Sequence, residues 1–202
     1  MGCSFFSVQT VQEVSVLHLC SDNPTNRLTR ACVLGLNDVL QEMAPLRHPL
    51  VIAGNNRFVS AGADLREIAS LDGPAAHEFA KMGQDLMAAI ERFPAPVYAA
   101  ISGYCLGGGL DLALACHHRI ASPHAVFGHR GAALGLITGW GGTQRLPRRL
   151  VGKARALEIF VAAEKISAQQ ALRIGLVDAM ADDPVAEAVQ RATPENVRVP
   201  ET

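Results

Sequence analysis

The chain has no excess of either charge. Its 202 residues carry 18 Lys and Arg against 19 Asp and Glu, a formal net charge of −1, with no long run of one sign. That balance argues against a nucleic-acid surface and against a polybasic membrane anchor. Although 49% of the residues are hydrophobic, no apolar run approaches the roughly 20 residues of a membrane-spanning helix. The N-terminus, MGCSFF, lacks the basic start of a secretory signal, and Phe6 stands where a myristoylation start needs Ser or Thr. The five cysteines (Cys3, Cys20, Cys32, Cys105 and Cys116) are odd in number, scattered, and include no Cys-x-x-Cys pair. Free thiols are therefore expected rather than disulfides or zinc ligands, which points to a reducing compartment, the cytoplasm, and to no bound metal. A fixed-period repeat and a domain linker are also missing. What remains is one α/β domain, long enough to bury a core.

The most informative stretch that is present is GYCLGGGLD at residues 103–111. Its three consecutive glycines lie between a strand-like run, PVYAAI at 96–101, and a helix-like run, LDLALAC at 110–116. Glycines at a strand-to-helix turn let a ligand approach the backbone, and the first N–H groups of the helix have no partner inside it. Those groups and the helix dipole favour negative charge, so the turn suits an oxyanion or a phosphate. Asp111 is the first acidic residue beyond it.

Elsewhere the pattern alternates. Residues 8–11 and 14–19 alternate apolar and polar positions as a hairpin does. Thr29 is placed to cap a helix carrying Val33, Leu36, Val39 and Leu40 at helical spacing. Residues 49–54 read as a buried strand, and a second glycine-bearing segment follows at 58–65. A helix is predicted over 75–92, with Phe79, Met82, Leu86, Met87 and Ile90 on one face, stopped by Pro94 and Pro96. Residues 125–128 read as a strand, 140–145 as a loop entering a helix, and 154–162 as a helix, with Ser167 capping another. From Asp182 the chain turns polar, so residues 183–202 are expected as a short, poorly ordered tail after a domain of residues 1–182.

Five of these segments, in order, resemble the crotonase superfamily, which includes enoyl-CoA hydratases and isomerases acting on CoA thioesters. They are Asn23–Pro24 with Asn26, SAGADLRE at 60–67, GYCLGGG at 103–109, GGTQRLP at 141–147 and ALRIGLV at 171–177. A single glycine turn would be a weak signal, whereas five ordered segments over most of the chain are a strong one. The resemblance implies a spiral of stacked β-β-α units, here C-terminally shortened, that associates as a homotrimer or a dimer of trimers. It implies an acyl-CoA substrate, with coenzyme A entering as part of the thioester rather than as a separate cofactor. It also implies that the backbone N–H groups of Ala63 and Gly108 point at the thioester oxygen. Family chemistry passes through an enolate-like state, and two fixed donors stabilise the charge that develops on that oxygen. By the same resemblance CoA lies along Ala61, Ala63, Asp64 and Leu65. Arg27 is then either a CoA phosphate contact or a solvated surface cation.

The chain departs from the hydratase pattern where the acid–base groups stand. Hydratases of the family place a Glu two residues after the third glycine, and this chain has Asp111, either a catalytic carboxylate or a complement to the helix dipole. Their second Glu would fall at Gly131, and the Asp used by dienoyl isomerases would align near Gly139. Three alternatives stay open. His129 lies two residues before Gly131, on the same strand face if the stretch stays extended, and either moves protons or is structural. Alternatively, the reaction needs one carboxylate or none, as in double-bond migration, hydrolysis or decarboxylation, with Arg130 holding a substrate carboxylate. Finally, the protein binds CoA esters with attenuated catalysis, as an assembly subunit. The expected substrate pocket includes Gly107, Arg130, Gly131 and Trp140, with Ala63, Gly108, Asp111 and His129 as the catalytic set.

Overall fold

The computed structural model describes residues 5–21, 23–149 and 152–193, so Cys3 and residues 194–202 of the expected tail lie outside it. Strands β1 (Phe6–Val11) and β2 (Val14–Leu19) form the expected hairpin, and β3 (Arg27–Leu28) precedes helix α1 (Arg30–Met43). Strands β4 (Leu50–Ala53), β5 (Phe58–Ser60) and β6 (Gly62–Ala63) lead into helices α2 (Leu65–Ala69) and α3 (Gly73–Glu91). Then come β7 (Val97–Ile101), β8 (Tyr104–Leu106), α4 (Gly108–Ala115), β9 (His118–Ala121) and β10 (Val126–Gly128). A 3-10 turn, Ala132–Leu134, separates β10 from α5 (Gly142–Arg149) and α6 (Lys153–Ala162). Strand β11 (Ile166–Ser167), α7 (Ala168–Arg173), β12 (Ala179–Met180) and α8 (Pro184–Ala192) complete the described chain.

Local chemistry accounts for the helix starts. The Thr29 side chain accepts from Cys32 N, and Asp72 accepts from Ala75 N to begin α3 two residues earlier than its apolar stripe suggests. Ser167 and Gln170 exchange side-chain and backbone hydrogen bonds in a capping box at the head of α7.

One motif repeats along the chain: a strand, a sharp corner, a second strand and a helix. The first strands of successive units (β4, β7 and β9) lie parallel and adjacent in a six-stranded sheet ordered β1-β2-β4-β7-β9-β12. The second strands (β5, β8 and β10) lie parallel in a four-stranded sheet ordered β11-β10-β8-β5. This is the mixed α/β spiral of β-β-α units that the motifs imply. The corners are tight. A Cβ on Gly54 would overlap Phe58 O, and one on Gly103 would overlap Arg57 O.

Both faces of the six-stranded sheet are covered at its central strands, which explains why β4 and β7 are apolar throughout whereas the exposed edge strand β1 mixes polar and apolar residues. Leu17, Leu50, Ile52, Val97, Ala99 and Ile101 face the helices of the main core. The intervening Val14, Val16, Val51, Ala53, Tyr98, Ala100 and Ile120 face Ala188, Val189 and Ala192 of α8. The expectation of a polar tail from residue 183 is thereby corrected. Asp183 accepts from Val185 N and Ala186 N, Pro184 takes the first helical turn, and the helix buries a narrow stripe of small residues against the sheet. Among the described residues no helix is long and apolar enough to cross a membrane.

Candidate active site

Strand β8 ends at Leu106 and α4 begins at Gly108, so a single residue turns the chain. Gly107 does so at φ +51° and ψ −122°, a region that side chains rarely enter. Its neighbours are glycine for another reason, the closeness of other atoms. A Cβ on Gly108 would stand 2.5 Å from Cζ3 of Trp140, and one on Gly109 would stand 2.7 Å from Ser60 O. The first bond of the α4 ladder runs from Asp111 N to Gly107 O at 3.0 Å. The N–H groups of Gly108, Gly109 and Leu110 precede that ladder, at the positive end of the helix.

A second backbone segment faces this turn, held by buried side chains. Asn26 Nδ2 donates to the carbonyls of Leu19, Phe58 and Val59 at 3.1–3.2 Å. Ser60 Oγ donates to Asn26 O at 2.6 Å and accepts from Gly62 N at 3.0 Å. Strand β6 runs parallel to β3, and Asp64 N points back at Leu28 O, 3.4 Å away. Because N–H groups alternate along a strand, the Ala63 N–H points to the other side, toward α4. The gap is narrow. A Cβ on Gly62 would stand 2.9 Å from Gly108 N, and one on Gly108 would stand 3.3 Å from Ala63 N.

Beside the gap lies a pair of buried ionisable groups. Asp111 and His129 are each 2% exposed, and Asp111 Oδ1 stands 3.1 Å from His129 Nε2. The approach is close but not aligned: among the described residues neither atom has a hydrogen bond of good geometry. The other ring nitrogen, Nδ1, lies 3.0 Å from Thr138 Oγ1, and the ring packs on Phe160 with centroids 5.0 Å apart. Gly142 backs the pair, since a Cβ there would overlap Asp111 Oδ1. Buried polar atoms normally find full partners. These two keep capacity for a third group in the cavity, such as a water or a substrate proton.

His129 does not reach this place along an extended strand. Strand β10 stops at Gly128, and Gly131 adopts a helical conformation (φ −56°, ψ −47°) at the start of the 3-10 turn. The idea that His129 and Gly131 share one strand face is corrected accordingly. Gly131 O accepts from Leu134 N and Leu136 N, and a Cβ on Gly131 would stand 2.9 Å from Leu136 O. The position is a tight turn rather than an empty seat for a carboxylate.

Ala63, Gly107, Gly108, Asp111 and His129 open onto one cavity of about 400 Å³. Ala61, Leu65, Arg130, Gly131 and Trp140 also line it, so ten of the twelve anticipated residues converge there. The other two, Arg27 and Asp64, sit just behind the wall. Asp64 caps α2 by accepting from Arg66 N at 2.8 Å, and pairs with Arg27 Nη1 at 3.4 Å. That backbone hydrogen bond, with the Arg66 and Arg27 guanidinium groups, holds the Asp64 carboxyl below its ordinary range against the opposing effect of burial. Arg130 is exposed at the rim.

Several positions that build the site carry no chemistry-bearing signal of their own. Thr138, Gly142 and Gly83 matter only through what they touch. Asn26 was visible only as a motif letter, and its work is to tie three carbonyls together.

Comparison with known proteins follows the same lines. The sequence profile described as enoyl-CoA hydratase/isomerase matches residues 9–196. A Bacillus subtilis protein named "Probable enoyl-CoA hydratase" is 44% identical over 190 residues, covering 92% of this chain and 72% of that one. A crotonyl-CoA hydratase of Syntrophomonas wolfei is 38% identical over 170 residues, covering 83% of this chain and 65% of its own length. Among solved structures, Pseudomonas aeruginosa DspI superposes with a TM-score of 0.90 at 33% identity, over 97% of this chain and 82% of that one. An enoyl-CoA hydratase from Bacillus anthracis superposes with a TM-score of 0.88 at 34% identity, over 94% and 75% of the two chains.

Proposed function

The chain belongs to the enoyl-CoA hydratase/isomerase family, and on that premise we propose that it adds water across the double bond of a 2-enoyl-CoA thioester. The observation that carries this is the meeting of two backbone donors and a buried Asp–His pair on one cavity. The thioester oxygen sits between Ala63 N–H and Gly108 N–H. As the nucleophile adds at C3, electrons move through C2 onto that oxygen, and the two donors stabilise the charge as it develops. Removing one such donor raises a barrier by about 3–4 kcal/mol.

Asp111 takes a proton from water as the oxygen bonds to C3. A proton then returns to C2 from the Asp111–His129 pair, so the water is added whole. Where Thr138 donates to His129 Nδ1, the ring proton resides on Nε2, facing Asp111. A histidine thus supplies the second titratable group that family hydratases provide as a carboxylate. The anticipated CoA path along Ala61, Ala63 and Leu65 fits their place on the cavity wall. Arg27 stands close enough behind it to meet a phosphate through its guanidinium.

A second possibility, migration of the double bond, is favoured by the presence of one carboxylate rather than two, because a single base can shuttle one proton between carbons. Turnover of crotonyl-CoA and of a 3-enoyl-CoA by wild type and by Asp111→Asn separates the cases. We expect the substitution to lower kcat about 10²–10⁴-fold, the usual worth of a positioned acid–base group. Equal rates would remove Asp111 from the mechanism, and tight acyl-CoA binding without product from either substrate would favour an attenuated binding subunit.

The exposed apolar side chains of Leu157 and Val161 on α6 support association with further copies. A trimer by light scattering is the expected result. The buried free thiols of Cys32, Cys105 and Cys116 fit a reducing location such as the cytoplasm.

A further inference from the structure

Trp140 is the single tryptophan of the chain and is 4% exposed. Its indole spans the space between two helices that line the cavity. On one side, Cγ, Cδ1 and Nε1 press on α3 so closely that a Cβ on Gly83 would overlap all three. On the other side, Cε3 and Cζ3 lie over Gly108, 2.7 and 2.5 Å from where a Cβ would be. The ring is fixed in this place. Nε1 donates to Phe79 O at 3.1 Å, and the Phe79 ring packs on it with centroids 5.4 Å apart.

Gly108 is also the residue whose N–H was assigned to the thioester oxygen. The indole edge therefore stands next to the position of the reacting carbonyl and closes the passage inward between α3 and α4. We propose that Trp140 sets the depth of the acyl site, making this chain selective for short over long acyl groups; the proposal rests on the assignment of the cavity to acyl-CoA. A longer acyl group has to turn outward past Leu134 and Ile137, which are 56% and 90% exposed. There, against cavity-lining side chains that are themselves largely open to water, its added methylenes are only partly buried and contribute little to binding.

The test is equilibrium binding of the saturated thioesters butyryl-, hexanoyl-, octanoyl- and decanoyl-CoA, which bind without being hydrated. Each methylene buried in an apolar site tightens binding about fourfold. For wild type the dissociation constant is expected to improve little from butyryl- to decanoyl-CoA. For Trp140→Ala, the ratio of the butyryl-CoA to the decanoyl-CoA dissociation constant is expected to rise at least tenfold over wild type. Trp140→Leu, which keeps apolar contact with α3, gives an intermediate series and serves if the alanine variant loses its far-UV circular dichroism. A wild-type series that keeps improving about fourfold per methylene up to decanoyl-CoA overturns the proposal. So does a substitution that weakens every member equally, which is what a purely structural tryptophan predicts. Turnover of crotonyl-CoA is measured alongside. Its absence with the binding order intact overturns hydration and supports the depth assignment, whereas failure of wild type to bind any of the four overturns both.

Discussion

Gly83→Ala is a substitution whose sign depends on Trp140. Position 83 lies in the middle of α3, Gly73–Glu91, where alanine is ordinarily better than glycine by about 0.8–1 kcal/mol. On helix propensity alone the variant would be more stable. The geometry reverses that. A Cβ there would overlap three atoms of a rigid ring that is held on its far side by Gly108 and at Nε1 by Phe79 O. Forcing a methyl group into a packed site costs about 1–3 kcal/mol. Moving the ring also gives up a buried hydrogen bond, worth about 1 kcal/mol. The net expectation is a loss of about 1–3 kcal/mol.

In a Trp140→Ala background the obstacle is gone, and the same substitution should stabilise by about 1 kcal/mol. The coupling between the two positions is then about 2–4 kcal/mol, far outside the range of independent sites. Urea denaturation followed by far-UV circular dichroism measures all four corners of the cycle. Because Trp140 is the only tryptophan, its fluorescence reports the displacement directly, with a red shift in Gly83→Ala. A Gly83→Ala protein as stable as wild type, with unchanged emission, would refute the wedge.

Other outcomes follow from the buried and capped groups. Burial pushes the thiols of Cys32 and Cys116 up to about 12, and that of Cys105 higher than its ordinary value, so all three stay protonated at pH 8. Peptide mapping after brief iodoacetamide treatment should find Cys20, which is exposed, alkylated and those three intact until the protein is unfolded. Asp64→Ala should lose about 1 kcal/mol of stability at pH 7 through the missing cap of α2. The Asp64 carboxyl is held below its unfolded value of ~3.9, so its contribution is complete above that pH and disappears as pH falls through the lowered value. Chemical denaturation of the two proteins should therefore differ at pH 7, with the difference shrinking as the pH is lowered below the unfolded carboxyl value.

How legible was the site in the sequence? Groups that speak locally were read well. The Gly107–Gly109 turn, the Thr29 and Ser167 caps and the β1–β2 hairpin each declare themselves within a few residues. Two kinds of feature did not. Helix α8 buries chiefly Ala188, Val189 and Ala192, a stripe too small to stand out by periodicity, although Asp183–Pro184 carried a helix start signal. The contact of His129 with Asp111 depends on the chain leaving β10 and turning at Gly131, which no local pattern announces. Strand parity gave the wrong relation between His129 and Gly131 because it assumed an extended backbone where the chain turns helical.

The glycines at 83, 108 and 142 share a physical role that none of them shows alone. Each removes a side chain so that a large or charged group from elsewhere fits: the pyrrole edge of Trp140, its benzo edge, and the carboxylate of Asp111. Gly107 differs, since its backbone conformation alone demands glycine. Substitutions at the first three positions are therefore conditional on their partners, whereas one at Gly107 is not. A relative with a small residue where Trp140 stands has open space beside α3, and the helix gains by filling it. Such a chain is expected to carry alanine or a larger residue where Gly83 stands, and a deeper acyl site with it. A tryptophan paired with alanine at these two positions, with the helix backbone unshifted, would contradict the contact from which the acyl depth was argued.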